Sequence, residues 1–140
     1  MKRNYMYPVT TPAVPVRLPF IGVIKAGPPV AEEGIANESV SLDEFLVTAP
    51  GYTYLLRVSG DSMINEGINP DDLVVIDKMR TPRNGDVVAA CVDGEWTVKY
   101  FRERNGQPFL EPANPKYQAI FPHASMDIGG VVVSVIRKYY

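Results

Sequence analysis

The chain has 140 residues and a formal charge of −2, with 46% hydrophobic and 21% charged side chains, a make-up that fits one globular domain plus an arm. No apolar run approaches the ~20 residues that span a bilayer, and no apolar block follows Met1-Lys2-Arg3 to form a secretory signal. The single cysteine, Cys91, rules out an internal disulfide and fits a reducing cytoplasm. Six of the thirteen prolines (Pro8, Pro12, Pro15, Pro19, Pro28 and Pro29) fall in the first 29 residues. Each fixes φ and removes a donor, so an extended arm is expected there. Residues 1–31 carry four bases and no acid, against ten bases and sixteen acids in the rest. Four charges scattered among prolines make a weak nucleic-acid surface, and docking of the arm on its own domain is the preferred reading. Ser41-Leu42-Asp43-Glu44-Phe45-Leu46 reads as a short helical turn with Ser41 as cap and Glu44 three residues on. The expected division is an arm over residues 1–40 and a domain over 41–140.

From Tyr52 the hydrophobic period changes to two. Strands are expected at Tyr54–Val58, Leu73–Ile76, Asp86–Val92, Glu95–Phe101, Phe109–Glu111 and Val131–Ile136. Asp93-Gly94 between two of them is a strong hairpin signal. A two-residue turn there pairs Val92 with Glu95, Ala90 with Thr97 and Val88 with Lys99. The fold class is therefore mostly β, a curled sheet or partly closed barrel.

Ser62 lies in Val58-Ser59-Gly60-Asp61-Ser62-Met63, and Lys99 follows in Trp96-Thr97-Val98-Lys99-Tyr100-Phe101. A serine hydroxyl needs a base to become a nucleophile. Lysine can serve once burial among apolar groups brings its pKa down from about 10.4. Gly60 permits a sharp exit from the strand, leaving the backbone N–H groups of Asp61 and Ser62 free to hold an oxyanion. Taken singly, Ser62 reads as a turn cap and Lys99 as a solvent-face lysine; together they point to a Ser–Lys hydrolase. The scattered aspartates Asp61, Asp71, Asp72, Asp77 and Asp86 are better explained as strand-end turn residues than as a metal set, so no metal or cofactor is expected. His123 has no second histidine and reads as a surface residue.

Ser59-Gly60-Asp61-Ser62-Met63, Gly85-Asp86-Val87-Val88 and Val92-Asp93-Gly94-Glu95-Trp96-Thr97-Val98-Lys99 resemble the S24 self-cleaving proteases, which include the LexA repressor, phage repressors and UmuD. The resemblance covers roughly residues 20–138. It implies a fold of the LexA C-terminal type with a flexible N-terminal arm, Ser62 as nucleophile and Lys99 as general base. It also implies self-cleavage at Ala26-Gly27, a small–small bond followed here by Pro28 in place of an aromatic. Only 26 residues precede Gly27 and no helix pair fits there, so the expected branch is UmuD. That branch implies a cytoplasmic homodimer whose cleavage is stimulated by a RecA–single-stranded DNA filament in the DNA-damage (SOS) response. Its trimmed form serves a UmuC-type translesion polymerase, with no direct sequence-specific DNA binding and no membrane. A signal-peptidase-like enzyme and a non-cleaving polymerase-regulating module are the alternatives.

Overall fold

A computed structural model describes residues 16–24, 26, 27 and 38–140. Pro8, Pro12, Pro15, Pro28 and Pro29 of the expected arm lie outside the described residues. The chain divides into two compact units, residues 1–46 and 47–140.

In the first unit, β1 (Arg17–Phe20) pairs antiparallel with β2 (Glu38–Ser41), two strands the sequence pattern does not announce. Pro19 sits in β1 opposite Ser39, where a two-stranded sheet leaves a free edge that tolerates a missing donor. Arg17 ties the pair together by donating to the Ser39 hydroxyl at 2.9 Å and to Glu44 at 3.2 Å. The expected helical turn is present as α1 (Leu42–Leu46), but its expected cap is not. The Ser41 hydroxyl is buried and has no hydrogen-bond partner among the described residues, because Ser41 is the last residue of β2 and turns inward with it.

In the second unit all six expected strands form one antiparallel sheet. They are β3 (Thr53–Arg57), β4 (Leu73–Asp77), β5 (Val87–Val92), β6 (Glu95–Arg104), β7 (Gln107–Glu111) and β8 (Met126–Ile136), in the order β3-β4-β8-β5-β6-β7. The last strand in sequence is therefore inserted between β4 and β5. β3 and β7 stand at opposite ends of the order without pairing, so the sheet does not close into a barrel. The register of the β5–β6 hairpin is the expected one: Val92 faces Glu95, Ala90 faces Thr97 and Val88 faces Lys99. Asp93 and Gly94 both have positive φ, 48° and 87°, the backbone that a two-residue hairpin turn demands. β8 begins five residues earlier than the apolar run Val131–Ile136 suggests. A bulge where Ala89/Ala90 meet Gly130/Ile128 carries the strand past its two glycines.

Alternation along β6 sends Val98 and Tyr100 to a core of Met63, Ile68, Val74, Ile76 and Ala89. Phe101 joins Val88, Ala90, Leu110 and Val131 on the other face. Lys99 shares that second face, opposite Val88. The turn aspartates behave as their positions suggest. Asp77, Asp86 and Asp93 accept backbone N–H groups beside the strand ends. Asp72 is buried and takes Arg137 in a bidentate pair, 2.7 Å to each oxygen. Cys91 is half-buried and His123 is exposed.

Candidate active site

β3 ends at Arg57, and the chain then makes a loop closed at its neck by Val58. Val58 donates to the Asp72 carbonyl and accepts from the Asp71 N–H, both at 2.8 Å. Gly60, at φ 91°, turns the chain out of the strand, a conformation that glycine adopts without a Cβ penalty. A short 3₁₀ turn, Ile64–Glu66, follows and ends at Gly67. Within this loop Met63 and Ile68 are buried plugs, 1% and 2% exposed. Ser62 precedes the first plug and is half-buried, so burial of its neighbour anchors the backbone from which its side chain projects.

Lys99 comes from the middle of β6 and is 9% exposed. Its Nζ donates to Ser62 Oγ at 2.8 Å, to Thr97 Oγ1 at 2.6 Å and to the Val98 carbonyl at 3.2 Å. Among the described residues no acid pairs with it, and burial pushes its pKa below the ordinary 10.5. The hairpin is what makes this possible. Val88 lies directly opposite the lysine and Ala90 diagonally, two apolar groups that strip water from the amine while leaving it room.

With the amine neutral, two N–H groups satisfy Thr97 Oγ1 and the Val98 carbonyl, and the lone pair is left facing Ser62. Thr97 is therefore part of the constellation, although sequence reading placed it only as a hairpin neighbour. Its signal was the period of two, which puts residues 97 and 99 on one face of a strand.

The Ser62 N–H makes no hydrogen bond among the described residues, as an oxyanion donor requires. The Asp61 carboxylate turns away to the Tyr117 hydroxyl, with Lys116 at 3.8 Å. The Tyr117 hydrogen bond is the main cause that holds the Asp61 pKa below the usual carboxylate range, and the same bond raises that of Tyr117. Residues 113–117 contact Asp61, Met63 and Asn65 around Ser62; their Asn114-Pro115 pair signals a turn but not this contact.

A cavity of about 480 Å³ opens beside Tyr54 and Trp96, and one of about 560 Å³ lies next to the Ser62 loop, lined by Asn65, Asn114, Tyr117 and Phe109; neither is lined by Ser62 or Lys99. In the first unit Ala26 and Gly27 are both exposed, and none of the described residues lies within 4 Å of where a Cβ on Gly27 would stand.

The profile of the S24-like peptidases matches residues 19–133. The chain is 41% identical over 124 residues to a LexA repressor of Cereibacter sphaeroides, covering 87% of this chain and 55% of the relative. It is 42% identical over 124 residues to the LexA repressor of Mycobacterium leprae (89% and 52%). To that of Bifidobacterium longum it is 41% identical over 135 residues (96% and 55%). The chain thus spans about half the length of these relatives. They are repressors by name, and this corrects the partner expectation of a UmuC-type polymerase with no direct sequence-specific DNA binding. That expectation rests on counting residues ahead of Gly27, and such a count carries no information about which branch a shared peptidase unit serves.

Proposed function

Because the chain belongs to the S24-like peptidase family, we propose that it is a self-cleaving serine peptidase of the LexA type, cutting its own Ala26–Gly27 bond in a DNA-damage response. The observation that carries this reading is the 2.8 Å contact of Lys99 Nζ with Ser62 Oγ, made by a buried lysine with no acid partner among the described residues. A solvated lysine is protonated at neutral pH and is no base; one desolvated between Val88 and Ala90 is nearer to the neutral form that general-base catalysis needs. Within the family, the relatives favour the LexA type over the UmuD type.

The Lys99 lone pair takes the Ser62 hydroxyl proton as Oγ forms a bond to the Ala26 carbonyl carbon. Negative charge moves onto the carbonyl oxygen, where the Ser62 N–H is available to it. Collapse breaks the Ala26–Gly27 C–N bond, and the Lys99 ammonium returns its proton to the Gly27 nitrogen. Water, deprotonated by the same amine, then attacks the Ser62 ester, releasing the Ala26 carboxylate and restoring the hydroxyl. Small residues on both sides of the bond suit the attack, because neither side chain hinders approach to the carbonyl.

The test is mass spectrometry of purified protein held at alkaline pH. A fragment spanning 27–140 should accumulate, and Ser62→Ala should leave the chain whole. Release of a fragment beginning at Gly27 from Ser62→Ala protein would refute the mechanism.

A further inference from the structure

The segment after β7 is latched to the nucleophile's loop residue by residue. The Asn65 N–H donates to the Ala113 carbonyl at 2.9 Å, and the Ala113 N–H donates to Met63 Sδ at 3.3 Å. Asn114, 8% exposed, donates from Nδ2 to the Asp61 carbonyl at 2.9 Å. Its Oδ1 accepts the Lys116 N–H at 3.0 Å. Those two partners fix which way the amide faces, since a carbonyl can only accept and a backbone N–H can only donate.

The Asp61 carbonyl and the Ser62 N–H belong to one planar, trans peptide, so they point in opposite directions and rotate together. Whatever holds the carbonyl therefore aims the N–H. The other group that reaches this carbonyl is the Ile64 N–H, at 3.4 Å, a distance at which a hydrogen bond is weak. Asn114 makes the shorter and better bond. It lies 53 residues further along the chain, so the orientation is set by tertiary structure and not by the loop's own turn.

We propose that Asn114 is a positioning residue for the peptidase chemistry, fixing the Asp61–Ser62 peptide so that the Ser62 N–H faces the developing oxyanion. This rests on the reading of Ser62 as nucleophile. Asn114 touches neither substrate nor Lys99; it acts through the peptide plane it holds. Asn114→Asp keeps the shape and replaces the donor with a carboxylate that repels the Asp61 carbonyl. Asn114→Ala removes the contact outright.

The experiment uses the full chain and two readouts: the first-order release of the 27–140 fragment, and covalent labelling of Ser62 by a small phosphonofluoridate, which needs the same nucleophile and oxyanion donor but no docked arm. Both rates should fall by about 10- to 100-fold in both variants, by comparison with direct loss of an oxyanion donor. The pH at which the rate bends should stay at the wild-type position in Asn114→Ala, which adds no charge near Lys99, and should move upward in Asn114→Asp, whose carboxylate favours the protonated amine. Rates are taken well below each variant's melting temperature, and should Asn114→Ala not fold, the near-isosteric Asn114→Asp decides. Wild-type labelling rates in a folded variant would overturn the positioning role and leave the peptidase reading standing. A wild-type chain that neither cleaves nor takes label at Ser62 would overturn both.

Discussion

Met63 is the buried side chain that follows Ser62, and its truncation should be among the costlier single changes in the loop. It is 1% exposed within the core that includes Ile68, Val74 and Ile76. Met63→Ala removes Cγ, Sδ and Cε, which at about 0.8 kcal/mol per buried group loses roughly 2.4 kcal/mol of transfer free energy. A residual cavity of roughly 50 Å³ adds about 1.2 kcal/mol at ~24 cal/mol per Å³. The Ala113 N–H, which donates to Met63 Sδ, loses its acceptor at a further cost of about 1 kcal/mol. The expected destabilisation is between about 4 and 5 kcal/mol, the top of the range for such truncations. Met63→Leu keeps the volume and loses only the sulfur, so it should cost about 2 kcal/mol. Urea melts at neutral pH, in a Ser62→Ala background that keeps the chain whole, measure both. At about 4 °C per kcal/mol the two variants should also separate by roughly 10 °C in melting temperature. A Met63→Ala cost below about 2 kcal/mol, or equal costs for the two variants, would refute the account of Met63 as the packed anchor behind Ser62.

Three further outcomes follow, two from the lysine and one from the glycine pair of β8. Self-cleavage should rise with pH, by about tenfold per unit while most of Lys99 is protonated, and Lys99→Arg should be inactive at every accessible pH. A flat profile would remove Lys99 from the base role. Because the folded pKa of Lys99 lies below its ordinary 10.5, the unfolded chain binds the proton more readily, and the penalty for folding grows as pH falls from that value to the depressed one. Lys99→Met should therefore stabilise the fold at neutral pH and lose that advantage at strongly alkaline pH. Denaturant midpoints across pH check this, and an advantage that grows with pH would contradict it. At Gly130, φ is 149° and a Cβ would stand 2.5 Å from Ile76 Cγ2 and 2.8 Å from the Asp77 carbonyl oxygen. The backbone oxygen cannot step aside, so Gly130→Ala should cost about 2–4 kcal/mol. At neighbouring Gly129 the clashes are with the Trp96 and Tyr54 side chains, which can shift, so Gly129→Ala should cost less. Thermal melts that reverse this order would refute the distinction.

The sequence by itself determined the six strands of the large sheet and the register of its central hairpin. Period-two alternation and the Asp93-Gly94 turn are local, and a two-residue turn leaves one pairing that keeps each side chain on its proper face. That pairing placed Lys99 opposite Val88, and with it the desolvation that lowers its pKa. The motif around Ser62 was likewise legible through family resemblance, as was the pairing of serine with lysine. Tertiary structure alone decided the strand order, with β8 slotted between β4 and β5, and the pairing of β1 with β2. It alone turned Ser41 inward, away from the capping role its position suggested. The hold of Asn114 on the Asp61 carbonyl and of Arg137 on Asp72 also came only from the fold. A hydrogen bond across 53 or 65 residues exists because packing brings two surfaces together, and neither partner's neighbours in the chain encode it. Local chemistry singled out Ser62 and Lys99; long-range packing set the geometry in which they meet.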